Sequence, residues 1–180
     1  MKNNKEKKRP NFFIRLLIKL FLLCIIFVAS VVITRYYFSG DSAVEETNLS
    51  NISLDNIYLN SKIDNIDLSK YTDTDTVQEN CNNNYKELGI KTNTNREIEY
   101  IITNTSKVSL NIDGETNLKR ITDVQKILGN DCKIKTYSKD NNHQKIAIYE
   151  DRANSTYLGV VYSRYNNEII RVILSTNKID

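Results

Sequence analysis

The 180-residue chain has no tryptophan, one proline, one histidine, five glycines and three cysteines. Each shortage closes a route to chemistry. A general base must be held by packing and oriented by a partner, and the lone histidine, His143, lies in the polar turn 139–144. A zinc site built without a second histidine would need Cys81, Cys132 and a carboxylate, yet neither cysteine belongs to a Cys-x-x-Cys pair. There is no glycine-rich phosphate loop and no Gly-x-Ser-x-Gly. Asp73 and Asp75 alternate as hard-cation ligands do, but Val77, Gln78 and Asn84 stand where a calcium loop continues with an oxygen ligand, a glycine and a glutamate. The expectation is a protein without cofactor or metal, and not an enzyme. An envelope enzyme using Cys81 or Cys132 with His143 is the weakest of the functional readings.

What is present is unevenly spread. The net charge of +3 is the remainder of +7 over residues 1–40 and −4 over residues 41–180. The basic charge is thus terminal and gives no nucleic-acid footprint, so no nucleic-acid partner is expected. Twenty-four asparagines fit the coding bias of an AT-rich genome. They also make the four N-glycosylation sequons, at Asn48, Asn51, Asn104 and Asn154, matches expected by chance.

A basic tail, residues 1–11, precedes an apolar run from Phe12 to Ile33 broken only by Arg15 and Lys19. At ~1.5 Å per residue a helix over 12–34 is long enough for a hydrocarbon core of ~30 Å. Arg15 and Lys19 are one helical turn apart and can snorkel to the headgroups. Arg35, Tyr36 and Tyr37 mark the opposite interface. The basic excess before the run predicts a single-pass cell-membrane protein, N-terminus cytoplasmic, with the lipid bilayer as partner of 12–34 and the C-terminal domain extracytoplasmic. The alternative is a secreted protein released by signal cleavage. Val28-Ala29-Ser30, the only tolerable cleavage site, lies inside the apolar run, and Leu23 before Cys24 argues against a lipoprotein signal.

Residues 35–51 read as a polar stalk and 52–180 as one α+β domain. Ile121–Gly129 has the pattern of a short helix. Thr122 and Gln125 stand at capping-box spacing, Val124, Ile127 and Leu128 share one face, and Gly129 ends it. Strands follow over 132–138, 144–150, 156–163 and 168–175, separated by turn-rich breaks, which predicts an antiparallel meander with one buried face. The front half echoes this in Ile63/Ile66 and in Leu88-Gly89-Ile90 with 97–102, so degenerate repeats over 52–104 and 105–180 are one reading; an irregular, unrepeated front half is the other. Cys81 and Cys132 are the thiols outside the apolar segment and form a candidate disulfide, with two unpaired thiols as the plainer reading.

The helix Asp123-Val124-Gln125-Lys126-Ile127-Leu128-Gly129 followed by an antiparallel meander resembles the repeat of the beta-lactamase-inhibitor-protein-like fold, shared by small lipoproteins of outer-membrane assembly. The resemblance covers 118–175 best and 52–104 weakly. It implies protein binding on the concave sheet face and carries over no individual residue.

The function expected is a membrane-anchored extracytoplasmic binding module that contacts a protein or envelope component through its sheet face. Tyr157, Tyr162 and Tyr165 are the candidate binding face, because tyrosine suits both sheet packing and interfaces. A membrane-tethered sensor or regulator is the alternative, weakened by a cytoplasmic tail of only residues 1–11. The anchor predicts that the mature protein retains residues 1–30; a mass corresponding to a chain beginning at Val31 would mean cleavage instead.

Overall fold

The computed structural model describes residues 16, 19–30, 46–78, 80–104, 107–137 and 143–179. The chain divides into two compact units, Met1–Ser42 and Ala43–Asp180. In the first, residues 19–30 form helix α1 with every side chain exposed. Among the described residues no helix is long and apolar enough to cross a membrane. Lys19 is exposed on α1, whereas Arg15, Arg35, Tyr36 and Tyr37 lie outside the described residues.

The second unit is an α+β fold with predominantly antiparallel sheet. Its strands are β1 (Ile52–Leu54), β2 (Asn83–Asn84), β3 (Leu88–Thr92), β4 (Ile98–Thr103), β5 (Leu110–Ile112), β6 (Lys133–Thr136), β7 (Gln144–Asp151), β8 (Thr156–Ser163) and β9 (Ile169–Ser175). Helix α2 spans Ile121–Leu128. β1 and β5 form a two-stranded sheet, and the other seven run in the order β2-β3-β4-β9-β8-β7-β6, every neighbour antiparallel. The β7–β8 and β8–β9 turns fall where the polar breaks predicted them.

α2 forms largely as its sequence requires. Ile121 and Val124 are buried while Thr122 and Lys126 face outward. The cap differs from the expectation. Arg120 is the N-cap, and Asp123 Oδ2 accepts from the Arg120 N–H at 3.0 Å and the Lys119 N–H at 3.3 Å. A carboxylate in the first turn meets unpaired donors and the positive end of the helix dipole, whereas the Thr122 hydroxyl lies two residues past the cap position. These bonds hold the Asp123 carboxyl below its ordinary value, against the opposing effect of burial. The helix ends at Gly129, whose φ of +83° is a conformation that side chains rarely adopt.

One face of the seven-stranded sheet carries the main core. Leu88 and Ile90, Ile101, Tyr149, Leu158 and Val160, and Leu174 pack under α2 and the β1–β5 pair. The opposite face, expected to be open, is also closed. Ile102, Ile146, Ile148, Val161 and Ile173 form a second buried cluster, covered by Cys81, Tyr100, Tyr137 and Ile179. Gly159 makes this possible. A Cβ there would lie 3.0 Å from Ile146 Cδ1 and 3.1 Å from Ile179 Cδ1, so the missing side chain gives the C-terminal Ile179 its seat.

The domain also starts earlier than the stalk boundary at residue 51. Leu49 is buried and donates its N–H to Asp151 Oδ2 at 2.8 Å, while the Thr47 N–H donates to the Glu150 carbonyl at 3.0 Å. Glu46 Oε1 accepts from the Ala153 N–H at 2.8 Å. Residues 46–49 are therefore docked along the β7–β8 turn.

Truncation on either face tests this double burial. Leu158→Ala on the main face and Ile148→Ala on the second should each cost ~2–5 kcal/mol in chemical denaturation. Ile134→Ala, at a side chain 49% exposed on the β6 edge, should cost less than ~1 kcal/mol. A matching small loss for Ile148→Ala would mean an open second face.

Candidate functional site

The residues singled out from sequence do not converge. Tyr162 is buried in the main core, Tyr157 is half-buried on the opposite face, and Tyr165 is 76% exposed in the β8–β9 turn. Strand alternation sends residues 157 and 162 to opposite sides of β8, so these tyrosines are not one binding face. Tyr165 Oη instead meets His143 Nδ1 at 2.6 Å, with ring centroids 4.9 Å apart. This is a surface stack bridging the start of β7 and the β8–β9 turn.

Cys81 and Cys132 are free thiols, which corrects the candidate disulfide. Cys81 packs into the second-face cluster, over Gly89, and Cys132 packs against the main core, so the sheet lies between them. Burial pushes the Cys81 thiol up to about 11, against the pull of Lys91, and also raises that of Cys132, against a hydrogen bond with Tyr149. Both are poor nucleophiles at neutral pH, because the thiolate is the reactive form. Among the described residues no cluster of His, Cys, Asp and Glu could hold a metal ion.

A different feature stands out, at the place where the sheet has a gap. β4 pairs with β9 only through Tyr100↔Ser175, Ile101↔Leu174 and Ile102↔Ile173. At Thr103 the pairing ends with a side chain in place of a backbone, as Thr103 Oγ1 accepts the buried Val172 N–H at 2.8 Å. The chain then leaves β9, and the Asn104 N–H donates back to the Glu87 carbonyl at 2.7 Å. At its other end the same edge of β9 is held by the Lys119 carbonyl, which accepts the Ile169 N–H at 2.9 Å, and by the bridge Arg120↔Glu168. Between these two attachments, over Ile170 and Arg171, no described strand lies against that edge.

β9 also bulges at this point. Arg171 pairs with Val161 and Ile169 with Tyr162, so Ile170 is an extra residue without a partner. A bulge bends the strand and re-aims the side chains beside it, and bulges are frequent next to functional sites. The gap forms a slot of about 330 Å³. Val108, Leu110, Leu118 and Val172 give it apolar walls, with Lys119 and Glu168 at one end and Thr103 and Arg171 at the other. This volume lies at the lower end of the range for ligand clefts, ~300–1,000 Å³, and apolar walls with a few polar groups are their usual composition.

No protein family, curated protein or solved structure matches the chain. The slot therefore has to be read from its own chemistry. It offers apolar walls, a vacated strand position and charges at both ends, but no nucleophile–base pair. Sequence reasoning missed it because no motif encodes it; the only local signals are the hydroxyl of Thr103 at a strand end and the unbroken apolar run Ile169-Ile170 beside Arg171.

Thr103 should behave as the keystone of the gap. Thr103→Val keeps the shape but leaves the buried Val172 N–H without an acceptor, and should cost ~1–3 kcal/mol in chemical denaturation. Thr103→Ser keeps the hydroxyl and should cost clearly less. Equal losses would show that the methyl group, not the hydrogen bond, matters.

Proposed function

We propose that this protein is a single-pass, membrane-anchored binding module whose extracytoplasmic domain captures an extended polypeptide segment in the slot beside β9. The observation that carries the reading is the strand position that β4 vacates beyond Thr103, flanked by the β9 bulge and lined by apolar side chains. An extended segment can enter there much as a peptide adds to a sheet edge, with side chains directed into the apolar slot.

The open sheet face expected from the sequence is not available for this role, since its centre is buried under Tyr100, Tyr137 and Ile179. Binding at an edge gap is consistent with that closure. The anchor rests on the sequence: the apolar run 12–34, its basic flank and its aromatic ends. Residues 46–49, docked on the β7–β8 turn, would fix the point at which the tether joins the domain. The absence of convergent catalytic groups favours binding over catalysis, and the resemblance to the beta-lactamase-inhibitor-protein-like fold points in the same direction.

Site-specific photocross-linking in native membranes tests the reading. A benzophenone side chain at Ile170, which is 37% exposed within the slot, should give a discrete adduct. The same probe at Tyr58, 46% exposed and outside the slot, should give none. The Ile170 adduct should persist when residues 1–38 are replaced by an unrelated membrane anchor. Loss of the adduct on that exchange, or equal adducts at both positions, would contradict the proposal.

A further inference from the structure

A second concavity adjoins the slot. It has a volume of about 390 Å³ and is lined by Thr74, Thr76, Gln78, Lys86, Asn104 and Arg171, with Tyr85 beneath. Arg171 lines both spaces, so it stands where they meet. We propose that Arg171 and Lys86 form a carboxylate-binding subsite, and that the segment held in the slot is acidic. This inference rests on the slot being a peptide site and adds the chemistry of its occupant.

The charge pattern is the first ground. None of the residues lining this second space carries a carboxylate. Lys86 makes no ion pair among the described residues, and Arg171 donates from Nη1 to the Tyr137 hydroxyl at 3.1 Å, a neutral partner. Two cations thus face one concavity without an anion between them. Asp73 and Asp75 flank Thr74 in sequence and are exposed, but neither lines the space. At the far end of the slot Lys119 stands opposite Glu168, whose Oε2 is already held by Asn166 Nδ2 at 2.7 Å. The unmatched positive charge is therefore at the Arg171 end.

The second ground is the supply of donors. Arg171 presents a planar fork of five N–H groups, and the bond to Tyr137 uses one while fixing the plane. Such a fork matches a carboxylate with two parallel bonds, the strongest class of side-chain recognition. Thr74 Oγ1 accepts from the Thr76 N–H at 3.2 Å, leaving its own proton to donate. Gln78 Nε2 and Asn104 Nδ2 both reach the Tyr85 carbonyl at 3.4 Å, a long contact for each. Each amide keeps a second N–H. Arg171 is itself half-buried, next to the unpartnered Ile170 of the bulge, so its approach to the slot is set by backbone rather than by a free side chain.

The experiment uses the full chain in lipid nanodiscs and two blocked peptides of alternating valine and threonine, one with a central glutamate and one with glutamine there. Calorimetric titration should show the glutamate peptide binding about tenfold more tightly, as expected for charge-assisted bonds. Lys86→Gln, outside the slot itself, should remove most of that difference and leave the glutamine peptide unchanged, and Arg171→Gln should also remove most of the difference. Lys86 is exposed, so its variant tests the idea even if Arg171→Gln fails to fold. Equal binding of both peptides, insensitive to Lys86→Gln, would overturn the carboxylate subsite and leave the slot reading intact. Absence of binding by either peptide, together with no adduct from Ile170, would overturn both.

Discussion

Strand β8 is the constraint on which the rest of the domain depends. It is paired along both edges, to β7 over Thr156–Ser163 and to β9 over Tyr157–Tyr162. Leu158 and Val160 are fully buried on one face and Val161 is fully buried on the other. A strand enclosed on both edges and both faces cannot shift register by one residue without exchanging its two apolar sets. The Gly159 backbone approach then fixes how closely the C-terminal segment can lie, and the second face closes under Ile179. With both faces spent on packing, the surfaces left for recognition are edges, turns and the gap beyond Thr103.

Much of this was legible from local pattern. The alternation of Leu158, Val160 and Tyr162, and the helix read from Val124, Ile127 and Leu128, gave β8 and α2 within a residue or two. The closed second face was signalled more faintly. Consecutive apolar residues such as Val160-Val161 and Val172-Ile173-Leu174 denote strands buried on both sides, whereas a one-faced sheet alternates strictly. The parity of Tyr157 and Tyr162 already forbade a shared face. Other features depend on distant partners and leave no local mark. Leu49 sits in a polar run, yet it packs into the main core and its N–H is accepted by Asp151, far along the chain. Cys81 and Cys132 fall on opposite sides of a sheet whose strand order no short window reveals.

The slot is of this second kind. It exists because β4 stops pairing at Thr103 while β9 continues, and because the segment carrying Val108, Leu110 and Leu118 passes beside the edge without pairing to it. Its charge is also a tertiary outcome. Residues 41–180 are net negative, yet Lys86 and Arg171 meet at one concavity free of carboxylates. A positive site within an acidic surround favours a local anionic group over a broadly acidic surface, which is one way a small domain gains selectivity.

Amide hydrogen exchange on the full chain in membrane mimetic tests the central role of β8 most directly, because amides in the most stable unit exchange only through global opening. The account predicts that Gly159, Val160 and Val161 belong to the slowest class, together with Ala147 and Ile173 opposite them. The β6 edge, Lys133–Thr136, should exchange faster by local opening. Exchange in β8 as fast as in β6 would contradict the claim that the doubly enclosed strand holds the domain together.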